Sequence, residues 1–120
     1  MKFCWSTLRV KNLEESIKFY TDIVGLEVVN RFKSGSVEIA FLGRGETKIE
    51  LLCDGESRDT VVGNDISWGF EVESLDKALA LVKEKGVNVD SGPIQPNPHI
   101  RFFIIKDPNG MRIQLAENVG

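Results

Sequence analysis

Val10-Lys11-Asn12-Leu13-Glu14-Glu15-Ser16-Ile17 and Val72-Glu73-Ser74-Leu75-Asp76-Lys77-Ala78-Leu79 are two copies of one pattern, set 62 residues apart. Each ends a short alternating or apolar stretch, places a capping residue (Asn12, Ser74), and enters an apolar periodicity with acidic residues directly behind the cap. Leu13, Ile17, Tyr20 and Val24 fall on one helical face in the first copy, and Leu75, Ala78, Leu79 and Val82 in the second. Gly25 and Gly86 stop the two helices, and each leads into a Val-rich stretch. A second echo, Lys48-Ile49-Glu50-Leu51 against Arg112-Ile113-Gln114-Leu115, lies at an offset of 64 residues, so the halves differ by one small loop change.

Working outward, each half reads as strand, helix and three strands. The strands are expected over 2–10, 26–33, 36–43 and 46–53 in the first half, and over 66–72, 87–91, 100–106 and 111–117 in the second. The helices are expected over 13–24 and 75–85. Asp107-Pro108-Asn109-Gly110 is a strong turn signal and makes the last two strands a hairpin. The stretch 54–65 is polar and turn-rich and joins the halves. The expected organisation is therefore a single domain over 1–120, with module one at about 1–53, a linker at 54–65 and module two at about 66–120. The fold class is α+β: two βαβββ modules, with a helix covering one face of each sheet and the other face left to curve around a ligand.

Composition narrows the function. The chain has 120 residues, 42% apolar and 28% charged, with 15 basic against 18 acidic side chains and a net charge of −3. That is ordinary globular usage with no basic stripe, which argues against nucleic acid as a partner. No apolar run approaches the ~18 residues of a membrane span. The first ten residues carry Lys2 and Arg9 around a polar stretch, so a cytoplasmic protein is expected. Cys4 and Cys53 belong to no Cys/His cluster and are expected as reduced, buried thiols, a disulfide between them being the alternative.

Strand alternation sorts the side chains. Cys4, Ser6, Leu8 and Val10 share one face of the first strand, opposite Phe3, Trp5, Thr7 and Arg9. In the fifth strand Ile66, Trp68, Phe70 and Val72 turn to the helix, and Ser67, Gly69 and Glu71 away. Ile49, Leu51, Cys53, Ile113 and Leu115 are the core set of the strands that close each module. The face away from the helices thus collects Trp5, Thr7, Arg9, Lys48, Glu50, Ser67, Glu71, Arg112 and Gln114. This mixture reads either as a solvated sheet face or, if the face is concave, as a polar small-molecule pocket.

These modules resemble the glyoxalase/bleomycin resistance/extradiol dioxygenase superfamily, the vicinal oxygen chelate fold. The resemblance rests on Leu8-Arg9-Val10-Lys11-Asn12-Leu13-Glu14-Glu15-Ser16-Ile17-Lys18-Phe19-Tyr20, Gly25-Leu26, Ile49-Glu50-Leu51, and Asp107-Pro108-Asn109-Gly110 leading into Ile113-Gln114-Leu115. It covers nearly the whole chain. It implies a cupped eight-stranded mixed sheet with helices on the outer face, a homodimer, and a small-molecule site in the cup.

The family's metal enzymes draw four ligands from repeat-equivalent strand positions: a His or Gln, a Glu, a His and a Glu. Carried onto this chain, those positions are Trp5, Glu50, Ser67 and Gln114. Only Glu50 matches. An indole nitrogen donates a hydrogen bond but has no lone pair to ligate with, and Ser67 is a neutral hydroxyl. A catalytic divalent ion wants three protein ligands from imidazole, thiolate and carboxylate, so the donor set disfavours a metal; a weak, hydrated site would use Glu50 and Gln114.

The resemblance then implies a metal-independent small-molecule-binding protein. The alternative is a glyoxalase I-like (lactoylglutathione lyase-type) lyase or isomerase with an atypical site, using Glu50 as base beside Gln114 and relying on Arg9 or Arg112 for charge stabilisation. The Trp5 ring reads as a ligand platform or as filler of the vacated metal cavity. His99, the one histidine, sits in a Pro-rich stretch expected as a stiff loop over 92–101; it reads as an exposed loop residue or as a proton-transferring, ligand-binding group beside the cup. Glu50 and Glu71 read as a carboxylate pair or as the neutralising partners of Arg9, Lys48 and Arg112. Trp68 is expected in the core, as is one of Phe19 and Tyr20, with the other at an interface.

Overall fold

Two side-chain caps start the two helices as the repeat requires. Asn12 accepts a hydrogen bond from the Glu15 amide at 3.0 Å, and Ser74 from the Lys77 amide at 3.2 Å. Each cap meets an amide that the helix cannot satisfy itself. In the computed structural model, residues 1–55 and 60–119 are described. Residues 56–59, within the expected linker, and Gly120 lie outside the described residues.

The chain divides into two units, Met1–Val61 and Val62–Gly120. The first contains β1 (Trp5–Arg9), α1 (Leu13–Asp22), β2 (Val28–Ser34), β3 (Val37–Leu42) and β4 (Lys48–Cys53). The second contains β5 (Ser67–Glu71), α2 (Leu75–Glu84), β6 (Ser91–Asn97), β7 (Ile100–Lys106) and β8 (Arg112–Asn118). Each unit is a βαβββ module with a four-stranded mixed sheet, ordered β1-β4-β3-β2 in one and β5-β8-β7-β6 in the other. The first and last strands of each module pair in parallel and the other neighbours antiparallel.

Of the expected core faces, Leu8, Val10, Ile49 and Leu51 are buried in the first unit and Ile113 and Leu115 in the second, whereas Trp68, Phe70 and Val72 of the expected fifth strand are only half-buried. The face of α1 is rotated from expectation. Leu13, Ser16, Phe19, Tyr20 and Ile23 are buried, whereas Ile17 and Val24 are half-buried. Ser16, a small residue, lies on this buried face. Both aromatics go inward, meeting edge to face at 5.1 Å between centroids, and neither is left at an interface. Cys4 and Cys53 are free thiols, as expected, but not buried ones: Cys4 precedes β1 and is exposed, and Cys53 ends β4 and is half-buried. Ile66 precedes β5 and is likewise exposed.

The largest departure is β6. It runs over Ser91–Asn97 rather than 87–91, so the expected stiff loop is an edge strand followed by a two-residue turn at Pro98-His99. Proline lacks an amide donor, which an edge strand tolerates. The ladder to β7 is accordingly interrupted twice. Gly92 makes this strand fit: its φ is +96°, and a Cβ there would lie 3.0 Å from the Phe102 carbonyl oxygen and from Phe103 Cα. The consequence for the site is that His99 stands at a hairpin tip, its amide donating to Asn97 Oδ1 at 2.8 Å.

The closing hairpin is held from inside. Asp107 is buried; its Oδ1 accepts from the amides of Asn109 and Met111, both at 2.8 Å, and its Oδ2 from the Asn109 side chain at 3.2 Å. Removing the carboxylate leaves two buried amides without an acceptor. Asp107→Ala should cost about 3 kcal/mol of stability in urea denaturation, and Asp107→Asn less. A loss below about 0.5 kcal/mol, the usual effect of a plain surface change, would contradict this role.

Candidate functional site

In the first unit, β1 and β4 set Trp5 opposite Lys48 and Thr7 opposite Glu50, and β3 sets Phe41 on the other side of Glu50. Cross-strand partners point to the same side of a sheet. Ile49 and Leu51 face the core, so Trp5, Thr7, Lys48, Glu50 and Phe41 share the face away from α1. Thr7 Oγ1 donates to Glu50 Oε1 at 2.5 Å. Trp5 meets Phe41 edge to face at 5.7 Å, and Phe41 stacks on Phe32 at 6.3 Å. This row of three rings remains open to solvent, with Trp5 53% and Phe32 42% exposed.

Phe32 and Phe41 are functional candidates that the sequence reading missed. The signal was available in β3, where Phe41 lies between the buried Ala40 and Leu42 and must therefore point outward. Arg9 does not neutralise Glu50. Its Nη1 pairs with Asp54 at 2.7 Å. Among the described residues neither Glu50, Lys48 nor Arg112 makes an ion pair, so the expected charge network is absent there. Elsewhere, at the surface, Arg44 hydrogen-bonds Glu27 and holds its carboxyl below the ordinary range.

The second unit repeats the register: Ser67 stands opposite Arg112, and Gly69 opposite Gln114. Ser67 thus occupies the place of Trp5, Gly69 that of Thr7, and Gln114 that of Glu50. Gln114 Nε2 donates to Ser67 Oγ at 2.9 Å. Arg112 Nη1 donates to the Asn64 carbonyl at 3.3 Å. Trp68, of opposite parity, is half-buried. At the other end of this face an open cavity of about 480 Å³ is lined by Gly69, Phe70, Glu71, Asn97, His99, Ile100, Ala116 and Asn118. The structure therefore brings His99 and Glu71 to one cavity, through the hairpin that displaced the expected loop.

Thr7, Glu50, Trp5 and Lys48 share one face in the first unit; Ser67, Gln114 and Arg112 share one face in the second, with Glu71 and His99 at its cavity. The positions carried over for metal ligands hold one carboxylate, one neutral amide, one hydroxyl and one indole. Glu50 Oε1 already accepts from Thr7, and Ser67 Oγ from Gln114. Among the described residues no three or more His, Cys, Asp or Glu side chains gather as a metal-binding group.

Comparison with known proteins agrees with the architecture. The model of the Glyoxalase/Bleomycin resistance protein/Dioxygenase superfamily matches residues 3–115. A lactoylglutathione lyase of Neisseria meningitidis is 29% identical, over 98% of this chain and 91% of its own length. A probable lactoylglutathione lyase of Vibrio parahaemolyticus is 30% identical, over 92% of this chain and 86% of its own. Among solved structures, the trypanothione-dependent glyoxalase I of Leishmania major superposes with a TM-score of 0.85 at 22% identity, over 98% of this chain and 86% of that one.

The parity of β1 and β5 sets a difference between the two tryptophans. Trp5→Phe should remove most of the acrylamide-quenchable fluorescence and shift the remaining emission to the blue, since Trp68 is the more covered ring. Quenching unchanged by Trp5→Phe but abolished by Trp68→Phe would mean the strand faces are reversed.

Proposed function

The chain belongs to the glyoxalase/bleomycin resistance protein/dioxygenase superfamily, and from that premise we propose that it is a small-molecule-binding protein that works without the family's divalent metal. One observation carries this reading. The positions from which a metal would be held present an indole, a hydroxyl, an amide and a single carboxylate, with that carboxylate and that hydroxyl already engaged by neighbours. Such a set falls short of the imidazole, thiolate and carboxylate donors a catalytic divalent ion draws on.

What the faces do offer suits an organic ligand. The Trp5–Phe41–Phe32 row supplies flat apolar surface, and the cavity at Glu71 and His99 is of a size for a small molecule. Trp5, Thr7, Arg9, Lys48 and Glu50 of the first unit and Ser67, Glu71, His99, Arg112 and Gln114 of the second are the ligand-binding set. A second copy of this chain is the protein partner that the family resemblance implies. No helix among the described residues is long and apolar enough to cross a membrane.

The relatives named lactoylglutathione lyase favour a second reading, a glyoxalase I-like lyase or isomerase. Glu50 would be its base, held by Thr7. Without a metal, stabilising an enediolate would fall to cationic side chains, and Arg9 is already committed to Asp54.

A thermal-shift screen separates the two. A bound ligand at 100 times its Kd should raise the melting temperature by about 10 °C, and Trp5→Ala should remove at least about half of that shift. No shift across chemically diverse panels, or shifts indifferent to Trp5→Ala, would end the binding reading. Formation of S-lactoylglutathione that disappears in Glu50→Gln would establish the second reading instead.

A further inference from the structure

Across β5, β8 and β7 one transverse row reads Ser67, Arg112, Lys106: Ser67 is the register partner of Arg112 on one side and Lys106 on the other. By register all three share one side of the sheet, opposite to the fully buried Ile113 and Ile105 that neighbour Arg112 and Lys106 along their strands. The row therefore lines up a hydroxyl, a guanidinium and an ammonium on one face.

Arg112 is only partly used. Its Nη1 is fixed by the Asn64 carbonyl. Its Nε is buried and has no hydrogen-bond partner, and its Nη2 makes no hydrogen bond among the described residues. Nε and Nη2 form one edge of the planar guanidinium, the edge that takes both oxygens of a carboxylate or phosphate side by side. A buried N–H without an acceptor is costly to leave so, and a ligand oxygen removes that cost.

The neighbours are set for the same purpose. Ser67 Oγ accepts from Gln114 Nε2, which leaves the hydroxyl proton free to donate. Lys106 is held loosely, 3.7 Å from Asp90. Of the other carboxylates, Asp107 is consumed by its own turn, Glu71 lies four residues along β5, about 13 Å from Ser67, and Asp65, two residues before Ser67, is exposed.

We propose that Arg112, Ser67 and Lys106 form an oxyanion subsite that binds the carboxylate or phosphate group of the small-molecule ligand. The inference rests on the metal-free reading of this face. In place of an imidazole for a divalent cation, the chain presents a hydroxyl beside an arginine, so the sign of the favoured ligand charge is inverted.

The test is the side-chain Nε–Hε resonance of Arg112 in 15N-labelled full-length protein, titrated with inorganic phosphate and, separately, with acetate at ionic strength matched by sodium chloride. The expected result is a saturable shift of Arg112 alone among the arginines. Saturation at lower phosphate than acetate identifies a phosphate-bearing ligand, and the reverse a carboxylate. Arg112→Gln should weaken binding about 10-fold or more, and Ser67→Ala about 3-fold. Arg112→Lys, which keeps the charge and the fold but loses the planar edge, should also weaken it. Shifts that are linear, or shared equally by all arginines, overturn the proposal; so does affinity unchanged in a folded Arg112→Lys variant. The metal-free reading is judged separately by metal retention, so failure of the anion subsite leaves it standing.

Discussion

The parallel pairing of first and last strands within each module is the constraint on which the site depends. It sets Thr7 against Glu50 in one unit and Gly69 against Gln114 in the other. Since side chains alternate along a strand, a slip of one residue would send Trp5, Glu50, Ser67 and Gln114 into the core and bring Leu8 and Leu115 to the outer face. Such a slip would expose several fully buried aliphatic side chains, each worth about 1.5–3 kcal/mol of burial. The chemistry of the face is thus locked by the hydrophobic side of the same strands.

The locked register also decides what the family's architecture becomes in this chain. Membership of a superfamily that includes glyoxalases and dioxygenases does not bring their donors with it, because function resides in the site rather than the scaffold. Here the conserved geometry of two βαβββ modules carries one carboxylate, held by a threonine, and elsewhere aromatic rings, amides and an arginine edge. On the reading proposed above, those groups recognise shape, flat surface and negative charge.

Much of this was legible in the sequence because two periodicities do most of the work. The repeat at Val10 and Val72 showed two like βαβββ modules, the caps at Asn12 and Ser74 fixed the helix starts, and alternation around Ile49 and Ile113 fixed the inner faces. What was not legible depended on long-range contact. The prolines at 93 and 96 read as a loop because their local preference hides an edge strand, which is supported only by pairing with β7. The apolar spacing put Ile17 and Val24 on the inner face of α1, whereas Leu13, Ser16, Phe19, Tyr20 and Ile23 are the buried set. The pairing of Arg9 with Asp54, and the unpaired Arg112 Nε, follow from side-chain paths that no periodicity encodes.

The most direct measurement is metal retention by the intact chain. After incubation with nickel, zinc or manganese and desalting, native mass spectrometry should show the metal-free mass, with retained ion well below one per chain and no difference between the native protein and Glu50→Ala. One ion held per chain, and lost in Glu50→Ala, would contradict the account, for it would mean that donors other than an indole and a hydroxyl reach the place where the family binds its metal.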